Sequence, residues 1–476
     1  MAETNVKLHP DMEPFESTAA NAFDATKAAH LLNRAGFGGT PAEIERYQKM
    51  GLAGAVDALL DFQHQSAEEQ DPKNLPDLTA LNDYPDSFQM MGMKAAGKTP
   101  EERQALLMKA QNANRQTLMR VGDWWLNRMS KAAYPLQEKL TLFWHGHFTT
   151  SARDERLSRM MWIQNETLRK HAAGNFGKFV KAISRDPAML DYLNNQQNRK
   201  GRPNENYARE LMELFTLGIG NYTEADIKDA ARAFTGWGHS GAEFIFRKFD
   251  HDYNGKTFMG KTGNFNGDDI IDIILQQPIC PKYIASRIWN FFVSETENPA
   301  AIASMAEVLK ANNYELKPVL KLMFSSKAFY SNDVIGSQIK SPIQLMVGTV
   351  RLLNVDMPPS RILLQPGGPM MQMGQAPFLP PNVKGWPGGR AWINTSTLFM
   401  RYNAMIRLAG EMKNSAITSS DPADKIVDSW ISKLIQRPIS AEQRTTLIDA
   451  IGGKPDAESI RKMVQLIVSM PEYQVC

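Results

Sequence analysis

The residues predict a mainly α-helical protein: a large multi-helix single domain, or two closely packed helical sub-domains, with a small β-hairpin and a long ordered Pro/Gly-rich loop. Three observations carry this. Apolar residues recur at helical spacing through most of the chain, as in Ala28, Leu31, Leu32 and Ala35. Helix-start signals precede such stripes, as in "TPAE", where Thr40 caps, Pro41 suits the first turn and Glu43 closes a capping box. A β-type signal is confined to one stretch, "EFIFRKFDHDYNGKTFMG".

In chain order, residues 1–24 are polar and read as an arm. The domain proper then spans 25–476, with possible sub-domains 25–240 and 260–476 joined by the hairpin. The first helix stops at Gly36 and Gly38, and two more fill 40–62. Residues 64–92, broken by Pro72, Pro76 and Pro85, read as a loop or lid. From Thr99 one long helix or two follow. "YPLQEKLTLFWHGHFTTS" then places Leu136, Leu140, Phe143 and His147 on one stripe, which a helix reaching Gly146 explains. Two more helices lie between Ser158 and Leu193.

A helix over Asn206–Leu217 buries Tyr207, Leu211, Leu214 and Phe215, ends at Gly218, and precedes one capped by Thr223 with Asp226. In the hairpin, Phe244, Phe246 and Phe249 mark one strand, Asp252–Gly255 the turn and Lys256–Met259 the return. Helices are expected at 267–294, 298–312, 315–329 and 340–354. The segment 356–392 is too rich in Pro and Gly to be regular and too apolar to be disordered. It reads as an ordered loop with Phe378 and Trp386 buried. Helices close the chain over 395–471.

Composition excludes several function classes. The 54 basic and 51 acidic residues leave a net charge of +3, which carries no nucleic-acid or membrane-surface signature. Mild basic enrichment between Lys94 and Lys139 reads as a solvated helix face. Two cysteines, Cys280 and Cys476, form no disulfide network and no zinc spacing, and Cys280 reads as a small buried residue. No run of apolar residues is long enough to span a membrane. The first residues lack a basic and an apolar signal region. The chain as written therefore reads as cytoplasmic, or as exported with a targeting segment already removed.

Four segments carry candidate chemistry. On the 206–217 helix, Asn206, Arg209, Glu210 and Glu213 crowd one side, with Asn204 at the start. They are expected to face a polar cavity, the alternative being a solvated face with an internal ion pair. "FWHGHF" offers His145 and His147, a spacing that suits two metal nitrogens where the backbone is extended. His251, Asp252 and Lys256 flank the expected hairpin turn, and Lys256 would meet an anion. "PPNVKGWPGGRAW" presents Asn382, Lys384 and Trp386 from a rigid loop.

These four segments, together with "HLLNRAGFG" at 30–38, resemble in order the bacterial family of uncharacterised proteins known as domain of unknown function 1800. The resemblance covers nearly the whole chain. It implies no reaction. It implies frequent export and a sulfatase-like partner protein encoded alongside. The functional expectation is a metal-dependent, hydrolase-like enzyme acting on an anionic or polymeric substrate. His145, His147 and His251 or Asp252 would hold a divalent metal, and Glu210 or Glu213 would act as base on its water. Asn204, Asn206, Arg209, Lys256, Asn382, Lys384 and Trp386 would bind substrate. The alternative is a non-catalytic binding or maturation factor for a partner protein.

Overall fold

A computed structural model describes residues 7–62, 64–79, 97, 99–153, 158–414, 417, 421–452 and 455–476. The helices are α1 (Ala25–Arg34), α2 (Pro41–Leu60), α3 (Ala67–Gln70), α4 (Pro100–Lys131), α5 (Pro135–His147), α6 (Ser158–Lys170), α7 (Phe176–Ile183), α8 (Pro187–Tyr192), α9 (Asn206–Glu210) and α10 (Glu224–Ala233). After the strands come α11 (Gly267–Leu275), α12 (Ile279–Phe292), α13 (Pro299–Ala311), α14 (Leu316–Ser325), α15 (Pro342–Leu353), α16 (Ser360–Leu363), α17 (Pro369–Gln372), α18 (Thr395–Gly410), α19 (Ala423–Leu434), α20 (Ala441–Ile451) and α21 (Ala457–Val468). The protein is mainly α-helical, and the capping boxes at Thr40/Glu43 and Thr223/Asp226 form as their sequences dictate.

The single expected hairpin is in fact two. Strand β1 (Trp237–Ser240) pairs antiparallel with β2 (Glu243–Phe246), and β3 (Lys256–Phe258) with β4 (Lys261–Gly263). The chain reverses at Gly241 and at Met259–Gly260, all three at positive φ, and not at Asp252–Gly255. The reason is tertiary: Asp252 is held by Arg232 of α10.

The 206–217 helix also differs from expectation. After α9 it widens into a π-helical turn over Leu211–Thr216, where Leu217 N–H and Gly218 N–H both donate to the Met212 carbonyl. Such turns are uncommon and often lie beside functional sites.

Apolar side chains gather into two cores. The first draws on α1, α2, α7 and α9 to α14, and the second on α4, α6 and α15 to α21. The chain alternates between the two cores before Val334, with Phe37, Val121, Trp125 and Met161 already in the second, and the core residues from Ile343 onward belong to the second. Helix α5 lies between the cores: Leu136, Leu140, Phe143 and Trp144 enter the first, and Leu142 the second. It is therefore buried on nearly every side, polar residues included.

Residues 7–24 lie on the body, with Met12, Phe15 and Phe23 buried and Phe15 N–H donating to the Ser325 carbonyl. Of the proposed lid, 64–79 carries α3 and is tied down by Trp124 Nε1 donating to the Asn74 carbonyl. Residues 80–92 lie outside the described residues. Cys280 is fully buried, and burial pushes its thiol up to about 12. Among the described residues no helix is long and apolar enough to cross a membrane.

Candidate functional site

Helix α5 delivers both histidines of the HGH segment, and each is already engaged. His145 Nε2 accepts the Phe378 N–H at 3.0 Å. Its ring is walled by Trp125, Phe378 and Trp386 at 5.1–5.5 Å separations between neighbouring rings. Phe378 sits at φ 64, a strained value for a non-glycine residue, and its carbonyl accepts the Ala152 N–H. The 356–392 loop is thus latched to α5 through one backbone unit. His147 Nε2 donates to the Phe215 carbonyl at 3.0 Å, leaving Nδ1 buried without a partner. Burial pushes both imidazoles down to about 3, so both are neutral at ordinary pH.

The loop closes over α5 at Gly385 and Trp386. A Cβ on Gly385, at φ 76, would come within 2.3 Å of the Gly146 carbonyl oxygen, so only glycine allows this approach. Phe378 is fully buried and Trp386 half-buried, with its Nε1 enclosed and without a partner. Lys384 and Asn382 are exposed, and Asn382 Oδ1 only accepts the Lys384 N–H.

Glu210 at the end of α9 and Glu213 in the π turn are both half-buried. Glu213 accepts the Tyr222 hydroxyl at 2.7 Å. Burial and the neighbouring Glu213 charge raise the Glu210 carboxyl, against the pull of Lys384 and Arg209. The rest of that face turns outward. Arg209 forks onto Glu224 at 2.8 and 2.9 Å, Asn206 is exposed, and Asn204 Oδ1 accepts the Asn206 N–H.

The fourth segment stands apart and is internally bonded. His251 Nδ1 pairs with the Thr235 carbonyl at 2.7 Å, Asp252 Oδ2 accepts Arg232 Nε at 2.7 Å, and Lys256 Nζ donates to the Asp252 carbonyl at 2.6 Å. These bonds staple the hairpins to α10. Lys256 is spent on backbone oxygens rather than left for a ligand.

The structure therefore brings three of the four segments together and separates the expected metal donors. The Nε2 atoms of both HGH histidines are hydrogen-bonded to backbone groups, while His251 and Asp252 belong to another cluster. Among the described residues no three of His, Cys, Asp and Glu converge.

What the sequence reading missed lies on the other side of the Trp386 loop. A cavity of about 180 Å³ is bounded by α5, the end of α12, the start of α15 and residues 375–392. Its lining includes Lys139, Arg287, Asn290, Glu295, Trp386 and Trp392. Lys139 is 4% exposed and lies over the faces of Phe37 and Phe291 at 5.2 and 5.6 Å. Among the described residues neither Lys139 nor Arg287 has a carboxylate within ion-pair distance, and Arg287 Nε, Asn290 Oδ1 and Trp386 Nε1 are buried without partners. Burial pushes the Lys139 ammonium down to about 7, with Cys476 working against that shift and Arg34 with it. Neither Glu210 nor Glu213 lines this cavity. In sequence, Lys139 looked solvated. The available signal was that "LQEKLTLFW" has apolar residues all round the helix, which leaves its polar members no route to water.

A larger cavity of about 620 Å³ lies between α1, α2 and α19. Its lysines Lys340 and Lys433 sit on the rings of Tyr473 and Trp430, and no residue of the four segments lines it.

The chain belongs to a family described as a protein of unknown function (DUF1800), whose model matches residues 30–475. No curated protein and no solved structure matches the chain.

Proposed function

We propose that this protein binds a small anionic molecule in the cavity between α5, α12, α15 and the 375–392 loop. One observation carries the reading: two cationic side chains, Lys139 and Arg287, line one cavity and neither is in an ion pair among the described residues, although the Glu295 carboxylate also lines it. An unpaired buried cation is unfavourable, so Lys139 is retained at a cost to stability that a bound anion would offset. Arg287 supplies a permanent, planar donor suited to a carboxylate or phosphate. Trp386 Nε1 and Asn290 Oδ1 add one donor and one acceptor that have nothing else to bond. The aromatic walls restrict access by water and strengthen each of these bonds.

Calorimetric titration with acetate, oxalate and phosphate tests this. A small anion should bind with one-to-one stoichiometry, and Arg287→Met and Lys139→Met should each weaken it at least tenfold. If no anion raises the melting temperature above that in chloride of equal ionic strength, the reading fails.

The metal-dependent hydrolase reading would need His145 to release Phe378, His147 to release Phe215, and the Arg232–Asp252 pair to open. The anion cavity needs no such rearrangement. A partner-binding reading has one supporting feature. Phe249 is 92% and Tyr253 54% exposed beside the hairpins, an apolar patch where a sulfatase-like protein or other partner would dock. Phe249→Ser/Tyr253→Ser should then abolish co-purification with a co-expressed partner while leaving anion binding intact.

A further inference from the structure

We infer that Lys139 is a reactive amine that condenses with the carbonyl carbon of a small oxo acid, whose carboxylate Arg287 holds. This rests on the cavity reading above and narrows its ligand class. Lys139 emerges from α5 at the cavity, over the ring faces of Phe37 and Phe291, with no carboxylate at ion-pair distance among the described residues. Desolvation is the strongest influence on it, and about 7 is where its ammonium and free amine are equally populated. The charged groups around it are Arg34, Arg287, Glu295 and Cys476. Arg34 favours the neutral amine, while Cys476 and the two ring faces favour the ammonium. The planar Arg287 guanidinium holds the anion while Lys139 supplies the nucleophile.

The chemistry balances without any further reagent. The Nζ lone pair attacks the carbonyl carbon, a C–N bond forms, and a proton passes from nitrogen to the carbonyl oxygen. The carbinolamine then loses that oxygen as water, taking the second amine proton, and leaves a C=N bond. No electrons are exchanged. The cavity of about 180 Å³ limits the partner to a short oxo acid.

The test uses the full chain with pyruvate, glyoxylate or 2-oxoglutarate, each with borohydride, followed by peptide mapping by mass spectrometry. Lys139 should carry the reduced adduct at least tenfold above any other lysine. Acetate should suppress labelling by competing for Arg287, and Arg287→Met should reduce it at least tenfold. Lys139→Arg should abolish it; because wild-type mapping is decisive alone, a variant that fails to fold does not blunt the test. Equal labelling of surface lysines overturns the inference. If the oxo acids raise the melting temperature in competition with acetate but leave Lys139 unmodified, the imine is overturned and the anion site stands. If they neither bind nor label, both readings fall.

Discussion

Glu138 and Lys139 are neighbours on one helix and both are buried, yet the fold treats them in opposite ways. Glu138 accepts four donors: Arg128 Nε at 2.5 Å, Arg169 Nε at 2.8 Å, Arg169 Nη2 at 3.0 Å and Trp125 Nε1 at 3.0 Å. Lys139 has only two ring faces. Burial would raise the Glu138 carboxyl, but the two arginines outweigh it and hold the group at about 2. Nothing comparable opposes burial at Lys139, which falls to about 7. A buried charge with every lone pair satisfied is part of the architecture. One left unpaired beside a cavity is where a ligand would act.

The sharpest way to break this contrast is Glu138→Gln. Removing the carboxylate leaves the fully buried Arg169 to Glu166 and Asn165, takes the ion pair from Arg128, and should destabilise the protein by about 3 kcal/mol in urea denaturation. The same pair fixes an acid limb. Because the folded carboxyl is depressed, its contribution is complete above its ordinary value of 4.5 and is lost as pH falls toward about 2. A Glu138→Gln variant should lose that limb.

Lys139→Met should act with the opposite sign, stabilising by about 1–3 kcal/mol near neutrality, since it removes an unpaired buried cation. A lysine depressed in the folded state penalises folding most below about 7, and the penalty fades as pH rises toward 10.5. The advantage of Lys139→Met should therefore shrink across that window in melts run from pH 6 to 10. A constant or inverted difference would erase the contrast with Glu138.

His147→Ala should lose about 1–3 kcal/mol, through the Phe215 hydrogen bond and the aromatic packing around the ring. Wild-type stability in this variant would mean the HGH segment is not structural. The smallest effect belongs to Glu210→Ala. Its carboxyl is raised by burial and by Glu213, so removal should shift stability by no more than about 0.5 kcal/mol, on the stabilising side, and leave anion affinity unchanged. A tenfold loss of affinity would move the site toward the π turn.

Much of the fold was legible. Helix starts were readable where Thr40, Thr99 and Thr223 precede their capping partners, because a cap is a bond between residues three apart. The two hairpins were not separable, because Asp252–Gly255 looks like a turn until Arg232 claims Asp252 from another element. Nor was the π turn, whose register is set by packing against α12, where Tyr283 donates to the Leu214 carbonyl.

At the candidate site, the sequence by itself determined that three polar segments, the HGH turn, the carboxylate helix and the Pro/Gly loop, would each be rigid and locally unusual. Their glycines, prolines and short-range hydrogen bonds act within a few residues. Only the tertiary structure decided what each polar atom faces. His145 looks like a metal ligand until the Phe378 N–H arrives from 233 positions away. Lys139 looks solvated until Phe37, Phe291 and the Trp386 loop enclose it. The physical reason is that desolvation and partner count govern the chemistry of an ionisable group. Both are sums over neighbours in space, which the order of residues along the chain does not fix.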